Sequence, residues 1–304
     1  MRPDAVAARR RDGAPRRAVC VIVNPSAGRG RAARLLPRVE QALRAHELAF
    51  RVERTRSLAH ARELARSARE RGEIAAAMGG DGVLSAVAGE LRGTDGVLGV
   101  LPGGRGNDFA RKLGIGSDPA AACAVLAHGR ERAVDVAEIG GRTFLGIASA
   151  GLDSDVQEIA NATRVPLGRL VYLFATVRAL ASWRAARWHV VVDGETHAFR
   201  GYSVAVANSG VYGGGMYLAP DAALDDGLLD VVLLGDKPRT RFLVTLPKVF
   251  RGTHVHDARL VLLRGREVTF SADRPFVAFA DGDPAAALPA TATVAHRALR
   301  VLAP

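Results

Sequence analysis

The chain has 304 residues, a hydrophobic content of 48% and a net charge of +11. This length is enough for two domains, and this hydrophobic content allows each of them a buried core. No run of about twenty apolar residues occurs, and no apolar segment follows the basic N-terminus, which argues against a transmembrane helix and a signal peptide. We therefore expect a cytoplasmic protein, with peripheral membrane contact left open.

Arginine dominates the first seventeen residues, which have almost no apolar neighbours. We expect residues 1–17 to form a disordered basic arm. Two interpretations stay open: a solvated tail, or an arm that touches anionic lipid. We expect no nucleic-acid partner, and the sequence does not encode an oligomeric state.

Both cysteines lie in apolar or alanine-rich runs. Cys20 lies in the first apolar run and Cys123 in an alanine-rich stretch. This setting predicts two buried free thiols and argues against a disulfide or a metal site.

Strands and helices alternate in the first half of the chain. The pattern predicts strands over residues 18–23, 49–53, 74–78 and 97–101, and helices over residues 30–45, 57–72 and 118–129. Ser57 and Pro119 are suited to helix starts, and Gly72 to a helix end. We expect a doubly wound α/β domain over residues 18–133.

Strands dominate after about residue 133. They are predicted over residues 142–149, 188–193, 197–207, 228–234, 258–263, 267–271, 276–280 and 290–302. Helices are predicted over residues 167–187 and 239–251. We expect a second, mostly β domain of sandwich type over residues 134–304, whose last residues could return to the first domain.

Two glycine turns lie about twenty residues apart, each between an apolar run and a helix-like stretch. They read Gly79-Gly80-Asp81-Gly82 and Pro102-Gly103-Gly104-Arg105-Gly106-Asn107-Asp108. Glycine lets backbone amides approach a bound group closely, and helix N-termini favour anions. The turns predict a site for a nucleotide phosphate.

A third turn, Asn24-Pro25-Ser26-Ala27-Gly28-Arg29-Gly30, follows the first strand. Residues 28–33 fit the dinucleotide pattern G-x-G-x-x-A, with Glu53 as the ribose acid. Pro25 and the second glycine turn fit that interpretation poorly, and a tight turn with packing glycines is the alternative. No P-loop pattern occurs.

The ordered set of motifs resembles the diacylglycerol kinase catalytic-domain family, which includes bacterial lipid kinases and sphingosine-type kinases. Besides the three turns, the set contains Asn107-Asp108-Phe109-Ala110-Arg111, Gly213-Gly214-Gly215 with Ala219-Pro220, Asp226-Gly227-Leu228-Leu229-Asp230, and Asp281-Gly282-Asp283. These motifs occur in the order of the family and cover nearly everything after the basic arm.

The resemblance implies an NAD-kinase/diacylglycerol-kinase-like fold and an ATP- and Mg²⁺-dependent kinase of lipid metabolism that phosphorylates a hydroxyl of diacylglycerol or a similar lipid. It implies ATP binding in a cleft between the domains, through Asn24, Pro25, Ser26, Ala27, Gly28, Thr55, Gly79, Gly80, Asp81, Gly82, Val83, Ser85 and Arg105. It also implies magnesium at Asp226 and the carbonyls of Ala223 and Leu228. Asp283 would be the general base, and Asp108 and Asp135 would belong to a charge network.

The chain departs from the family pattern at several positions. Val83 and Arg105 stand at threonine positions, Ser85 at an asparagine position, Ala86 at a glutamate position, and Asp283 at the glutamate of D-G-E. These departures leave open a weak or inactive nucleotide- or lipid-binding protein. NAD kinase is a further alternative, disfavoured by the string at residues 102–111.

Two segments carry competing interpretations. Asp193-Gly194-Glu195 spells D-G-E, but it lies between two predicted strands and is typical of a hairpin turn. A helix over residues 166–183 would show Leu170, Leu173, Phe174 and Val177 on one face. That face is either a wall for acyl chains or a core-facing side.

Overall fold

The structure is a computed structural model that describes residues 17–163, 170–256 and 260–304. The chain divides into two compact units. The first runs up to Val134 and includes Ala298–Pro304, and the second comprises Asp135–Arg297. Apart from Arg17, the predicted basic arm lies outside the described residues.

A parallel sheet with a helix after each strand forms the first unit. Its elements are β1 (Val19–Val23), α1 (Ala27–Ala45), β2 (Phe50–Arg54), α2 (Leu58–Glu70), β3 (Ile74–Gly79), α3 (Asp81–Leu91), β4 (Val97–Pro102), α4 (Asp108–Lys112) and α5 (Pro119–His128). The four strands are parallel, in the order β4-β3-β1-β2.

This strand order explains the two helical layers. The chain moves outward from β1 to β2 and then returns past β1 to β3. Because such crossovers are right-handed, the reversal places α2 and α3 on the face opposite α1. Consistently, α2 contacts α3 and α1 contacts α5. The predicted doubly wound α/β fold is confirmed.

Local signals set the helix starts. The Ser57 hydroxyl oxygen accepts a hydrogen bond from the His60 amide at 3.1 Å, and Asp118 accepts one from the Ala120 amide at 3.0 Å. These side chains satisfy amides that have no partner within the helix. Helix α1 differs, because Gly28, Arg29 and Gly30 adopt left-handed conformations.

The second unit begins with strands and two helices, and antiparallel strands complete it. Its first strand starts in the first unit, and its last strand ends there. Its elements are β5 (Arg130–Ile139), β6 (Arg142–Phe144), β7 (Ile147–Gly151), α6 (Leu152–Ala162), α7 (Leu170–Ser182), β8 (Ala186–Val192), β9 (Glu195–Ala207), β10 (Val211–Tyr212), β11 (Met216–Tyr217), β12 (Leu229–Gly235), α8 (Arg239–Val249), a 3₁₀ turn (Thr253–His256), β13 (Leu260–Gly265), β14 (Glu267–Ala272), β15 (Val277–Ala280), β16 (Asp283–Ala287) and β17 (Ala290–Ala303).

The long strand β9 organises this unit. Its first half pairs with β8, and its second half pairs with β7 on one side and β12 on the other. Val204 and Val206 face a core built around Trp188 and Phe270, both fully buried. Ser203 and Ala205 alternate with these valines and point to the opposite face. The predicted sandwich-like β architecture is confirmed.

One predicted strand is wrong in detail. Residues 142–149 form two strands, β6 and β7, separated by Leu145 and Gly146. The Asp281 carboxylate accepts hydrogen bonds from the amides of Leu145, Gly146 and Ile147, at 2.8, 2.9 and 3.2 Å. These bonds take the amides that a continuous strand would use for pairing.

Helix α6 was not predicted, and neither were β5, β10, β11 and β16. The helices expected over residues 167–187 and 239–251 correspond to α7 and α8, while residues 167–169 lie outside the described residues. Residues 258 and 259 of one predicted strand do so as well. Among the described residues, no helix has the length and apolar character needed to span a membrane.

The buried thiols are confirmed. Cys20 in β1 and Cys123 in α5 are fully buried and free. Burial raises the pKa of Cys20 to about 11 and that of Cys123 to about 12, because the apolar surroundings disfavour the thiolate.

Candidate functional site

Three turns emerge side by side from the sheet of the first unit. Strands β1, β3 and β4 end in register, with Val23 beside Met78 and Gly79 beside Pro102. Because the strands are parallel, residues 24–28, 80–82 and 103–107 follow them at the same edge. Thr55 lies at this edge too, where its amide donates to the Val23 carbonyl at 2.8 Å.

Backbone contact between glycines brings the turns together. A Cβ atom on Gly104 would lie 2.4 Å from the Cα of Gly80, and one on Gly28 would lie 2.7 Å from the Gly103 carbonyl oxygen. No side chain fits at either distance. The glycine pattern therefore reflects contact between the turns, in addition to any contact with a ligand.

Two asparagines shape the turns that follow β1 and β4. The Asn24 Oδ1 accepts from the Ser26 amide at 3.1 Å and from the Ser26 hydroxyl at 2.8 Å. The Asn107 Oδ1 accepts from the Gly104 amide at 2.8 Å, and its Nδ2 donates to the Gly104 carbonyl at 3.1 Å. Asn107, with a φ of 52°, belongs to a motif noted in the sequence, but the residue type did not reveal this role.

Asp81 connects the two glycine turns that follow β3 and β4. It lies in the first turn of α3, and its Oδ1 accepts from the Asp108 amide at 3.0 Å. The Asp108 carboxylate in turn pairs with the Arg111 guanidinium at 2.7 Å. Asp81 thus interacts with the N-terminus of α4, where amides favour a negative charge.

The side chains expected near a nucleotide differ in accessibility. Pro25 is partly exposed and Ala27 likewise, whereas Val83 and Ser85 are 3% and 4% exposed. Arg105 is exposed. Gly80 is the N-cap residue of α3 and supplies no side-chain cap, so the partly exposed backbone at residues 80–82 adds to the accessible polar surface.

In the second unit, Asp135 is fully buried and accepts three hydrogen bonds. They come from the Gly227 amide at 2.7 Å, the Arg297 amide at 2.6 Å and the His296 Nδ1 at 3.0 Å. Gly227 lies between Asp226 and Leu228, two of the predicted metal-site residues. Asp135 therefore holds the turn that carries them.

The Asp226 turn offers only oxygen donors. The Asp226 Oδ1 accepts from the Leu228 amide at 3.0 Å, and its Oδ2 pairs with the Arg264 guanidinium, which also contacts Asp230 at 3.2 Å. The described residues contain no cluster of three or more His, Cys, Asp or Glu side chains able to hold a metal. One carboxylate with the carbonyls of Ala223 and Leu228 fits a hard cation that keeps several waters, as Mg²⁺ does. Arg264 would compete with such a cation for Asp226.

Asp283 begins β16 directly after a tight turn. Its Oδ2 accepts from the Arg142 guanidinium at 2.6 Å, and its side chain is 44% exposed. The turn is held by Asp281 and by Asn161, whose Nδ2 donates to the Gly282 carbonyl at 2.9 Å. The carboxylate is therefore accessible and held in place by its neighbours.

Asp193-Gly194-Glu195 joins β8 to β9, with Val192 paired to Glu195. The predicted hairpin is confirmed. The Asp193 carboxylate accepts from the backbone amides of Arg266 and Glu267. Its side chain therefore serves the turn between β13 and β14.

An apolar cavity lies in the second unit, with about 540 Å³ of space that includes open solvent, and the sequence did not reveal it. It lies between α8 and the sheet face that carries Ser203 and Ala205. Further lining residues are Asp153, Tyr212, Met216, Leu218, Val232, Leu234, Lys237, Phe242, Thr245, Val249, His254 and Leu260. Burial raises the pKa of Asp153 to about 6, against a lowering by its hydrogen bond with Ser203.

The apolar face of α7 that the sequence indicates is exposed, so it does not face the core. Leu173, Phe174 and Val177 are 48%, 46% and 48% exposed, while Val171 and Ala175 are buried. The side chain of Leu170 is not among those that the structure describes. The face singled out from the sequence is therefore accessible within this structure.

A doubly wound α/β unit with three glycine turns at one sheet edge, followed by a β sandwich, defines the NAD-kinase/diacylglycerol-kinase-like fold class. The diacylglycerol kinase catalytic domain matches residues 18–139, and the YegS C-terminal NAD kinase beta sandwich-like domain matches residues 146–303. The chain belongs to the diacylglycerol kinase catalytic-domain family, as the motifs predicted.

Relatives from several bacteria agree with this assignment. A protein named diacylglycerol kinase from Mycobacterium tuberculosis is 36% identical over 233 residues, covering 74% of this chain and 75% of that protein. One of the same name from Bacillus subtilis is 29% identical, covering 76% and 78%. A probable YegS-like lipid kinase from Pseudomonas fluorescens is 35% identical, covering 68% and 69%.

The fold itself has solved counterparts. The crystal structure of a putative diacylglycerol kinase from Bacillus anthracis superposes with a TM-score of 0.79 at 22% identity, covering 94% of this chain and 97% of that one. At this identity the likeness concerns the fold.

Replacing Gly104 with alanine is expected to destabilise the first unit. The added Cβ would overlap the backbone of Gly80, and overpacking of this kind costs about 1–3 kcal/mol. Gly80→Ala is the matched control, because its Cβ would lie 3.5 Å from Gly104, in ordinary contact. Urea unfolding followed by circular dichroism measures both, and equal stabilities would contradict the contact.

Replacing Asp153 with asparagine is expected to change how stability depends on pH. The folded-state pKa of about 6 exceeds the ordinary 3.8, so ionisation opposes folding. The wild-type free energy of unfolding should fall as the pH rises from about 4 through 6, and Asp153→Asn should remove this fall. Thermal melts across this range test it, with Glu158→Gln on the same helix as control. Parallel wild-type and Asp153→Asn profiles would show the pKa shift to be absent.

Proposed function

We propose that the protein is an ATP- and Mg²⁺-dependent kinase that phosphorylates a hydroxyl of diacylglycerol or a similar lipid. The observation that carries the proposal is the meeting of three glycine turns at one sheet edge, within the region that matches the catalytic domain. The names of the relatives support a lipid as the phosphate acceptor.

The turns would position the phosphates of ATP. Backbone amides at residues 80–82 and the N-terminus of α3 supply dipoles suited to anions. Arg105 is exposed on the turn that follows β4, and its guanidinium can pair with a phosphate where the family has a threonine hydroxyl. Further contacts fall to Asn24, Pro25, Ser26, Ala27, Gly28, Thr55, Gly79, Asp81, Val83 and Ser85, the last two through backbone atoms because their side chains are buried.

Asp283 would act as the general base. Its carboxylate takes the proton of the lipid hydroxyl as that oxygen bonds to the γ-phosphorus, and the bond from the γ-phosphorus to the β,γ-bridging oxygen breaks to release ADP. Arg142 holds one carboxylate oxygen at 2.6 Å and so orients the group. The 44% exposure of Asp283 is consistent with access by a substrate.

Asp226, with the carbonyls of Ala223 and Leu228, would hold Mg²⁺. When bound, the cation supplies positive charge that offsets the charge of the phosphates. Asp135 holds the Gly227 amide at 2.7 Å and keeps the turn in shape. Asp108, ion-paired with Arg111, would serve the nucleotide turns in the same way.

The lipid would place an acyl chain against apolar surface. The pocket in the second unit offers such a surface, since most of its lining residues are apolar. The net charge of +11 favours collection of substrate from anionic membrane, as expected of a peripheral enzyme of phospholipid metabolism.

Asp283→Ala is expected to lower kcat at least about 100-fold with diacylglycerol and ATP, while ATP binding is retained. Removal of the base leaves the phosphate-binding turns intact. Asp283→Glu, which introduces the glutamate that the family has at this position, should keep measurable turnover. Glu195→Ala, in the D-G-E hairpin, is the matched control and should be as active as the wild type.

The outcomes separate the alternatives. Turnover that survives Asp283→Ala would remove Asp283 as the base. A wild-type protein that binds ATP but transfers no phosphate would be a degenerate member of the family. Failure to bind ATP at millimolar concentration with Mg²⁺ would overturn the kinase proposal.

Mg²⁺ at millimolar concentration is expected to raise the melting temperature of the wild type, because an ion that binds only the folded state stabilises it. Asp226→Asn should lose this increase, and Asp225→Asn, at the neighbouring position of the same turn, should keep it. An equal Mg²⁺-dependent shift in wild type and Asp226→Asn would place the ion elsewhere. Calorimetric melting with and without EDTA provides the measurement.

A further inference from the structure

The two sides of helix α8 differ in their surroundings. Phe242, Thr245 and Val249 line the apolar cavity. On the solvent side, Val244 is 69% exposed, and Leu243 and Phe250 are 37% and 44% exposed. The helix thus separates the cavity from an apolar surface that faces solvent.

Strand β13 extends this apolar character. Among the described strands it pairs only with β12, so it is an edge strand. Leu260 lines the cavity, and Leu262 lies two residues further on the same face of the strand, 42% exposed. Exposed apolar side chains therefore occur on both elements that border the cavity.

Basic side chains accompany the apolar ones on α8. The segment of residues 239–251 contains no Asp or Glu and four exposed cations, at Arg239, Arg241, Lys248 and Arg251. A helix that combines exposed large apolar residues with cations is typical of the interface between water and an anionic bilayer. Each cation near such a surface strengthens binding about fivefold.

Other occupants of this surface fit less well. A second copy that presented the same surface across a two-fold axis would set four cations against four cations. The apolar face of α7 is a rival membrane contact, but residues 170–183 carry one cation, Arg178. Charge therefore favours α8.

We propose that α8 docks the second unit on an anionic bilayer. A role of this docking in lipid delivery rests on the proposed lipid kinase function, whereas the docking itself does not. Leu243, Val244 and Phe250 enter the headgroup region, and the four cations contact lipid phosphates.

Cosedimentation with vesicles tests the docking. Wild-type protein should bind phosphatidylglycerol/phosphatidylcholine vesicles and not phosphatidylcholine alone. Val244→Glu, and separately Arg241→Glu with Lys248→Glu, should weaken binding at least about tenfold with unchanged melting temperature. Arg62→Glu with Arg71→Glu, exposed in the first unit, is the control of equal charge change and should bind like the wild type.

Three results would overturn the proposal. In the first, the wild type does not bind anionic vesicles. In the second, both α8 variants bind as well as the wild type. In the third, Val177→Glu in α7 loses binding while the α8 variants keep it.

Kinase assays separate this proposal from the proposed function. With diacylglycerol in anionic vesicles and in neutral detergent micelles, the α8 variants should show a lower vesicle-to-micelle activity ratio than the wild type. An unchanged ratio would contradict a role of α8 in lipid delivery. Wild-type binding through α8 without turnover in either system would overturn the kinase function and leave docking supported.

Discussion

Contact between glycine backbones is the constraint on which the first unit depends. Gly80 and Gly104 approach so closely that a Cβ on Gly104 would overlap the backbone of the other turn. The Asp81 carboxylate lies close to Gly106, because a Cβ on that glycine would lie 2.9 Å from the Asp81 Oδ2. Because no side chain intervenes at Gly106, the carboxylate can reach the start of α4. A phosphate site built on these turns would be rigid before any ligand binds, which lowers the entropic cost of binding.

The second unit uses carboxylates where the first uses glycines. Asp281 accepts hydrogen bonds from three backbone amides, and Asp135 accepts hydrogen bonds from two amides and a histidine nitrogen. Each holds a turn that carries a partly exposed aspartate, Asp283 or Asp226. In each case one carboxylate fixes the backbone of the turn while another carboxylate remains accessible.

Much of the fold could be predicted because its signals are local. Consecutive residues encode the helix caps at Ser57 and Asp118 and the buried parallel strands. The break between β6 and β7 could not be predicted, because Asp281 lies 136 residues from Leu145. The candidate site divides in the same way. Motif order found the turns and Asp283, whereas the Arg142 partner and the cavity arise from contacts between distant segments.

The placement of the two cysteines has a practical consequence for studying the protein. Both thiols belong to the first unit, and burial keeps them protonated and shielded. Alkylating reagents attack thiolates that solvent can reach. The rate of thiol modification therefore measures how often the sheet around Cys20 and the helix around Cys123 open. The second unit carries no cysteine and is silent in this measurement. The chain thus contains its own reporter of opening in the first unit.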